Sequence, residues 1–264
     1  MTATELLPVA LLASSLLPGL VIFGLREDRV RLRTVLNLSG AVVKLVLVGL
    51  MLWGVGRQEV YELRWPLLPG LDLRLAADPL ALLFVTLSAV LWLLTTIYAI
   101  GYLEGSPNRS RFFGFFSLCV TATTGIALAG NLITFFIFYE FLTLVTYPLV
   151  VHRGTPEALQ AGRTYLWYTI TGGTVLFVAI VQLYVTLGTF EFTAGGLLGQ
   201  TGPDQRFPLQ IIFLLFILGL GVKSALVPLH GWLPAAMVAP APVSALLHAV
   251  AVVKAGAFGI IRVV

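Results

Sequence analysis

Apolar runs of about 20 residues, each long enough to cross ~30 Å of hydrocarbon, recur from one end of the chain to the other. Polar breaks, or breaks rich in Gly and Pro, separate them. The runs extend from Glu5 to Leu25, Thr34 to Gly54, Pro79 to Leu103, Phe112 to Ala129, Leu132 to Val151, Thr164 to Leu187, Leu209 to Leu229 and Pro242 to Val264. The pattern predicts an all-α polytopic membrane protein of about eight transmembrane helices. Only Gly130-Asn131 separates the fourth run from the fifth, which predicts a tight reversal between antiparallel neighbours. The stretch from Val55 to Asp78 alternates in places, as in Glu59-Val-Tyr-Glu-Leu-Arg-Trp65 and Leu71-Asp-Leu-Arg-Leu75, with Pro69-Gly70 between, and predicts a small hairpin on the outer surface.

The seventh run is unlike the others. It carries Lys223, and Pro228, His230 and Pro234 follow. Pro228 has no N–H to offer the carbonyl of Ser224, and a free carbonyl at membrane depth must find protein or water. We therefore expect a broken seventh helix lining a polar cavity.

Composition supports the membrane reading. Of 264 residues, 58% are hydrophobic and 11% charged, and the mean hydropathy of +0.98 lies outside the range of soluble domains. The single cysteine, Cys119, excludes an internal disulfide and a cysteine-rich metal site. The net charge of +4 does not point to nucleic acid, because the basic residues are spread over short loops. Met1-Thr-Ala-Thr-Glu5 lacks the basic region of a signal peptide, so the first run is expected to be a retained span. Arg26, Arg29, Arg31, Arg33, Arg109, Arg111, Arg153 and Arg163 follow spans one, three and five, whereas Arg57, Arg64, Arg74 and Arg206 follow spans two and six. The first set should be cytoplasmic, with the N-terminus outside.

Charges inside the spans are the candidate chemistry. All three lysines, Lys44, Lys223 and Lys254, lie within predicted spans, and of the twelve acidic residues only Glu140 lies near the middle of one. A charge at helix centre costs roughly 2.5–3.5 kcal/mol on insertion scales, so such residues are functional candidates by default. Glu140 sits too deep to reach the interface. It is either a neutral acid hydrogen-bonded to Thr143 or Tyr139, or an acid paired with a buried cation, for which Lys223 is the natural partner. At ~4 Å and an effective dielectric of about 20 such a pair gains roughly 4 kcal/mol, similar to what either charge costs to insert. Lys223 could alternatively snorkel without further role.

His230 and His248 flank the break, and imidazole suits a proton relay, although either could be a hydrogen-bonded packing residue. Lys254 follows His248 by six positions, some 120° around an ideal helix, and would serve a successive step. Lys44 has no evident acid in the neighbouring spans; a water-filled groove or a partner subunit could answer its charge. His152 and Arg153 read as topological determinants. Asn108-Arg-Ser110 matches a glycosylation sequon but falls in an expected cytoplasmic loop. Gly219-Leu-Gly-Val-Lys-Ser224 imitates the end of a phosphate loop, but Val222 precedes the lysine and no strand precedes the run, so no nucleotide site is expected. Neither a cofactor nor a metal is expected: there is no cysteine cluster for iron–sulfur and no dinucleotide fingerprint.

At these residues the sequence resembles the proton-conducting, antiporter-like membrane subunits shared by respiratory complex I, membrane-bound hydrogenases and the Mrp-type sodium/proton antiporters. The stretch from Lys223 through Pro228, His230, Trp232 and Pro234 to His248 is similar to the family's longest motif. Glu140 in Phe-Tyr-Glu-Phe matches its fifth-helix glutamate, Lys223 its seventh-helix lysine, and His248 with Lys254 its eighth-helix relay positions. Ala77-Asp-Pro-Leu80 and Arg111-Phe-Phe extend the likeness over most of the chain. The resemblance implies an N-terminal three-helix segment with its hairpin over residues 1–111 and a five-helix proton-channel repeat over 112–264. The family's second, inverted repeat is absent from this sequence, so a chain supplying that half is the expected partner. It further implies proton translocation through Glu140, Lys223, His230, His248 and Lys254 within a multisubunit cation/proton antiporter of a bacterial-type plasma membrane. Lys254 in Val-Val-Lys-Ala-Gly favours the Mrp type. A pumping subunit of a complex I-like oxidoreductase or hydrogenase, and a structural assembly subunit, are the other readings; sodium or another ion could be coupled.

Overall fold

The computed structural model describes residues 3–68, 70–192 and 206–263. Its helices are α1 (Ala3–Phe23), α2 (Val30–Val55), α3 (Pro79–Tyr102), α4 (Arg109–Leu128), α5 (Leu132–Val150), α6 (Pro156–Leu187), α7 (Arg206–Lys223), α8 (Trp232–Ala236), α9 (Ala241–Ala245) and α10 (Val252–Val263). Strands β1 (Tyr61–Leu68) and β2 (Leu71–Ala77) form the expected antiparallel hairpin between α2 and α3. Pro69, Val264 and Met1-Thr2, which figure in the expectations above, lie outside the described residues, as does the side chain of Arg206. Among the described residues seven helical segments are long and apolar enough to span a membrane, and α7 is a shorter apolar helix. The protein is an all-α polytopic membrane protein with a broken seventh helix.

Helix α4 is the hub. It packs against α1, α3, α5 and α10, and its side chains are buried on almost every face. Its sequence explains this, because Gly114, Ser117, Cys119, Ala122, Thr123 and Gly125 are small enough for close helix approach. A Cβ on Gly125 would collide with the Phe138 ring of α5. The reversal at Gly130-Asn131 is as tight as its sequence suggests. Asn131 caps α5 by accepting from the Thr134 N–H at 2.8 Å, and its amide donates to the Asp72 carbonyl of β2 at 2.8 Å.

The hairpin is tied down at both ends. Arg74 donates to Glu62 at 2.9 Å and pairs with Glu191 beyond α6. Burial opposes ionisation of Glu62, but hydrogen bonds from Arg74 and Arg64 outweigh it and keep this carboxyl below the ordinary glutamate range. Asp78 caps α3 by accepting from the Ala81 N–H at 2.7 Å and receives both terminal nitrogens of Arg262 from α10.

Several span boundaries differ from expectation: α2 begins at Val30 rather than Thr34, α4 at Arg109 rather than Phe112, and α7 runs from Arg206 to Lys223 rather than from Leu209 to Leu229. Helix α6 begins at Pro156 rather than Thr164, because Thr155 caps it by accepting from Ala158 N–H and Pro156 supplies the fixed φ of a first helical residue. The eighth span is not uniformly α-helical. Between α9 and α10 a π-helical turn, Leu246–Val250, contains His248. The ideal-helix separation of His248 from Lys254 therefore does not hold, since the π turn changes the angle per residue.

On the face where α4 starts and α5 ends, Arg111 donates to the His152 carbonyl at 3.1 Å and Phe112 meets the imidazole edge-on with centroids 5.1 Å apart. Burial, followed by the Arg111 charge, pushes the His152 pKa down to about 4. An unfolded histidine titrates near ~6.5, so between these values the unfolded chain binds a proton that the folded one refuses. Stability at His152 is fully present above pH ~6.5 and declines as pH falls toward about 4. Thermal midpoints recorded across this window are expected to fall with acidification in the wild type and to fall less in His152→Gln. Equal slopes would assign the acid sensitivity elsewhere.

Candidate buried ion-pair site

The break in the seventh span is built from Lys223 outward. Helix α7 ends there and not at Pro228. Ala225 takes a left-handed conformation with φ of 55°, its N–H reaches the Val222 carbonyl at 3.1 Å, and the Leu226 N–H reaches back to Gly221 at 2.9 Å. This pair of bonds is a Schellman turn, with alanine where glycine is usual. Trp232, fully buried, donates from its indole nitrogen to the Val222 carbonyl at 2.7 Å and so caps the same helix end. Lys223 thus sits in the last turn of α7, where the unpaired carbonyls of a helix C-terminus favour a cation.

Its ammonium points at α5. Nζ lies 3.6 Å from Glu140 Oε1, with the lysine side chain 1% exposed and the glutamate 28%. Nζ also donates to the Tyr139 backbone carbonyl and stands over the Tyr139 ring, 3.4 Å from its centroid. Lys223 does not snorkel. Thr143 makes no hydrogen bond to Glu140: Thr143 Oγ1 and Glu140 Oε1 are both buried without a hydrogen-bond partner among the described residues. Oε1 of the carboxylate is thus answered by the Lys223 charge and by no hydrogen-bond donor among the described residues.

The third wall is glycine. A Cβ on Gly173 of α6 would lie 2.7 Å from Glu140 Cδ, and one on Gly172 would lie 2.8 Å from Val222 Cβ. Gly173 is the seat of the carboxylate and Gly172 a point of close contact between α6 and α7. Residue type alone does not mark Tyr139 as a partner of the lysine, Gly173 as the seat of the carboxylate or Trp232 as the cap of α7. The adjacent glycines in an apolar span were the one available signal.

The other candidates are not bonded to this pair among the described residues. His230, between α7 and α8, and His248, in the π turn, are both exposed, and Lys254 on α10 is half-buried. Lys44 is fully buried at a separate place between α1, α2 and α4. Among the described residues no group of His, Cys, Asp and Glu could hold a metal ion.

Comparison with known proteins agrees with this architecture. Residues 129–264 match the family model described as NADH:quinone oxidoreductase/Mrp antiporter, TM, and residues 70–113 match that of NADH-Ubiquinone oxidoreductase (complex I), chain 5 N-terminus. Among curated proteins, one from Rhizobium meliloti, described as part of a probable K(+)/H(+) antiporter, is 34% identical over 76% of this chain and 20% of its own length. The chain spans 20% to 28% of the first curated relatives it matches. Among solved structures, a chain of the Mrp complex from a Dietzia species superposes with a TM-score of 0.81 at 26% identity, over 98% of this chain and 28% of that one. A chain of the archaeal membrane-bound sulfane sulfur reductase, a respiratory membrane complex, shares the fold with a TM-score of 0.84 at 22% identity, over 97% of this chain and 52% of its own. With the family model covering the segment that carries Glu140, Lys223 and the broken helix, the chain belongs to the NADH:quinone oxidoreductase/Mrp antiporter membrane family.

Proposed function

We propose that this chain is a proton-translocating subunit of a multisubunit cation/proton antiporter and that Glu140 and Lys223 form its switchable charge pair. The observation that carries the reading is the 3.6 Å approach of Glu140 Oε1 to Lys223 Nζ at the end of the broken helix. Closed, the pair keeps the lysine charged. When the carboxylate swings off or is neutralised, the ammonium faces only the Tyr139 carbonyl and ring, and release of its proton is favoured. His230, His248 and Lys254 take that proton onward; the exposure of the two histidines suits a route completed by a further membrane element. Residues 1–111 buttress the unit formed by 112–264, the arginine-rich loops face the cytoplasm, and the N-terminus lies outside a bacterial-type plasma membrane. The partners are other membrane subunits, and the coupled ion is sodium or potassium.

Everted membrane vesicles carrying the chain with its native subunits provide the test. Added sodium or potassium is expected to dissipate an imposed proton gradient, and loss of this chain is expected to abolish the effect. Dissipation by neither cation, with proton movement appearing only when a quinone or sulfur acceptor is reduced, would replace the antiporter by a redox-driven pump.

A further inference from the structure

Lys44 has no place in the pair described above, yet its surroundings are built with equal care. Its Nζ donates to the Leu11 carbonyl of α1 at 2.8 Å and to Thr124 Oγ1 of α4 at 2.9 Å, and it lies 5.8 Å from the ring centroid of Trp92 on α3. The Thr124 hydroxyl proton is spent on its own helix, at the Val120 carbonyl 2.8 Å away, so its oxygen is an acceptor toward the lysine. Among the described residues no carboxylate pairs with Nζ. Within the spans packed around it, α3 carries Tyr98 and Tyr102, α4 carries Cys119 and, at its start, Arg109 and Arg111, and α1 carries Glu5 near its start; on its own helix Arg31 and Arg33 lie nearer the loop face. Two acceptors satisfy both N–H groups of a neutral amine, and a third proton is left the aromatic face. The site accommodates either protonation state.

A buried polar seam leads from this site to the loop face. On α2, Arg33, Asn37 and Lys44 share a face at helical spacing, as do Ser110, Ser117, Thr121 and Thr124 on α4. Starting at the half-exposed Glu27, Arg33 lies 3.8 Å from its carboxylate and donates to Ser110 Oγ at 2.9 Å. Asn37 donates to the Arg33 carbonyl at 3.0 Å and accepts from Ser117 Oγ at 3.3 Å. Thr121 donates to the Ser117 carbonyl at 3.1 Å, and its oxygen lies 2.9 Å from Ser15 Oγ of α1. Ser14, next along α1, donates to the same Leu11 carbonyl that receives Lys44, at 2.7 Å.

We propose that Lys44 is a second protonatable station, separate from the Glu140–Lys223 pair, exchanging protons with the loop face that bears Glu27 through the hydroxyl and amide seam of α1, α2 and α4. In the exchange one N–H bond of the ammonium breaks, its electron pair stays on Nζ, and the proton passes to water at the loop face; nothing is oxidised or reduced. The competing account is that these hydroxyls serve only as helix-packing groups and that Lys44 is sealed.

The full chain, purified with the subunits that accompany it into lipid nanodiscs and labelled with nitrogen-15 at lysine side chains, separates the two. Only three lysines are present, and the Lys44 resonance is the one lost in Lys44→Arg. It is expected to move between the ammonium and amine positions as pH is changed. Its exchange with deuterated water should be much faster than that of the backbone amides of α4. Thr121→Val should slow that exchange by about tenfold, the equivalent of one lost hydrogen bond. Ser15→Ala, which adds no volume, gives the same read-out if the valine variant does not assemble. A resonance fixed in one protonation state, or exchange as slow as the α4 interior and unchanged in both variants, would overturn the proposal.

Discussion

In Glu140→Gln, proton transport by the assembled complex is expected to fall to background, and Lys223→Ala should do the same from the other side of the pair. At 3.6 Å and an effective dielectric of about 20, the attraction between the two charges is roughly 4–5 kcal/mol. That is comparable to the cost of holding either charge inside the membrane, so neither is stable there alone. Glutamine keeps the shape and removes the charge. It leaves Lys223 with the Tyr139 carbonyl and ring as its sole named partners, and the neutral amine becomes the resting state. A station that cannot hold a proton cannot pass one on. Alanine at 223 strands the carboxylate, whose Oε1 has no hydrogen-bond donor of its own, as an unpaired charge within the membrane. Each 1.4 kcal/mol is about tenfold, so loss of most of the pair's attraction takes transport down by some two to three decades. Cation-dependent collapse of a proton gradient in proteoliposomes measures this, with complex yield and thermal midpoint as controls for assembly. Wild-type rates in either variant would sink the charge-pair mechanism. Glu140→Asp retains the charge but withdraws it by one methylene, and should fall between.

What the sequence made legible follows from which forces act locally. Span number, the hairpin and the tight turn at Gly130-Asn131 are set by hydropathy over about 20 residues and by turn chemistry, both written in contiguous stretches. Glu140 and Lys223 were legible because a charge at the centre of an apolar run needs an answering group, and each was the other's best candidate. The start of α6 was also written locally, in Thr155, Pro156 and Glu157, but the low hydropathy of 156–163 hid it. Pro228 predicts the break after Lys223, whereas the chain turns earlier because Ala225 adopts a left-handed conformation that alanine rarely takes. No residue type announces that choice; the Trp232 indole, arriving from beyond the turn, is part of what holds it. The partners of Lys44 were the least legible. They are a backbone carbonyl of α1 and a threonine of α4, groups present on every span and identified only by three-dimensional position. The same holds for Asp78 and Arg262, which meet across most of the chain to tie α3 to α10.

Gly173→Ala is expected to cost about tenfold in transport while leaving the protein assembled, and its neighbour Gly172→Ala to do the reverse. The new methyl at 173 would lie 2.7 Å from Glu140 Cδ, closer than carbon atoms pack, and what faces it is the far end of a rotatable side chain and not backbone. The carboxylate can therefore retreat by roughly 1.4 Å without moving a helix. The retreat opens the pair from 3.6 Å to about 5 Å, a loss of about 1.3 kcal/mol at an effective dielectric of about 20, or tenfold in the closed-state population. At 172 the new methyl would instead meet Val222 Cβ at 2.8 Å and the Gly219 carbonyl at 3.1 Å, in the contact between α6 and α7. Neither can rotate away, so the helices must part, with a penalty of about 1–3 kcal/mol typical of overpacking. Gly172→Ala should accordingly lower the thermal midpoint and the yield of complex more than Gly173→Ala does. Transport per assembled complex separates the two effects. Equal losses of transport at unchanged stability in both variants would mean that the carboxylate's seat is not what the glycine at 173 provides, and that α6 acts only as a packing surface.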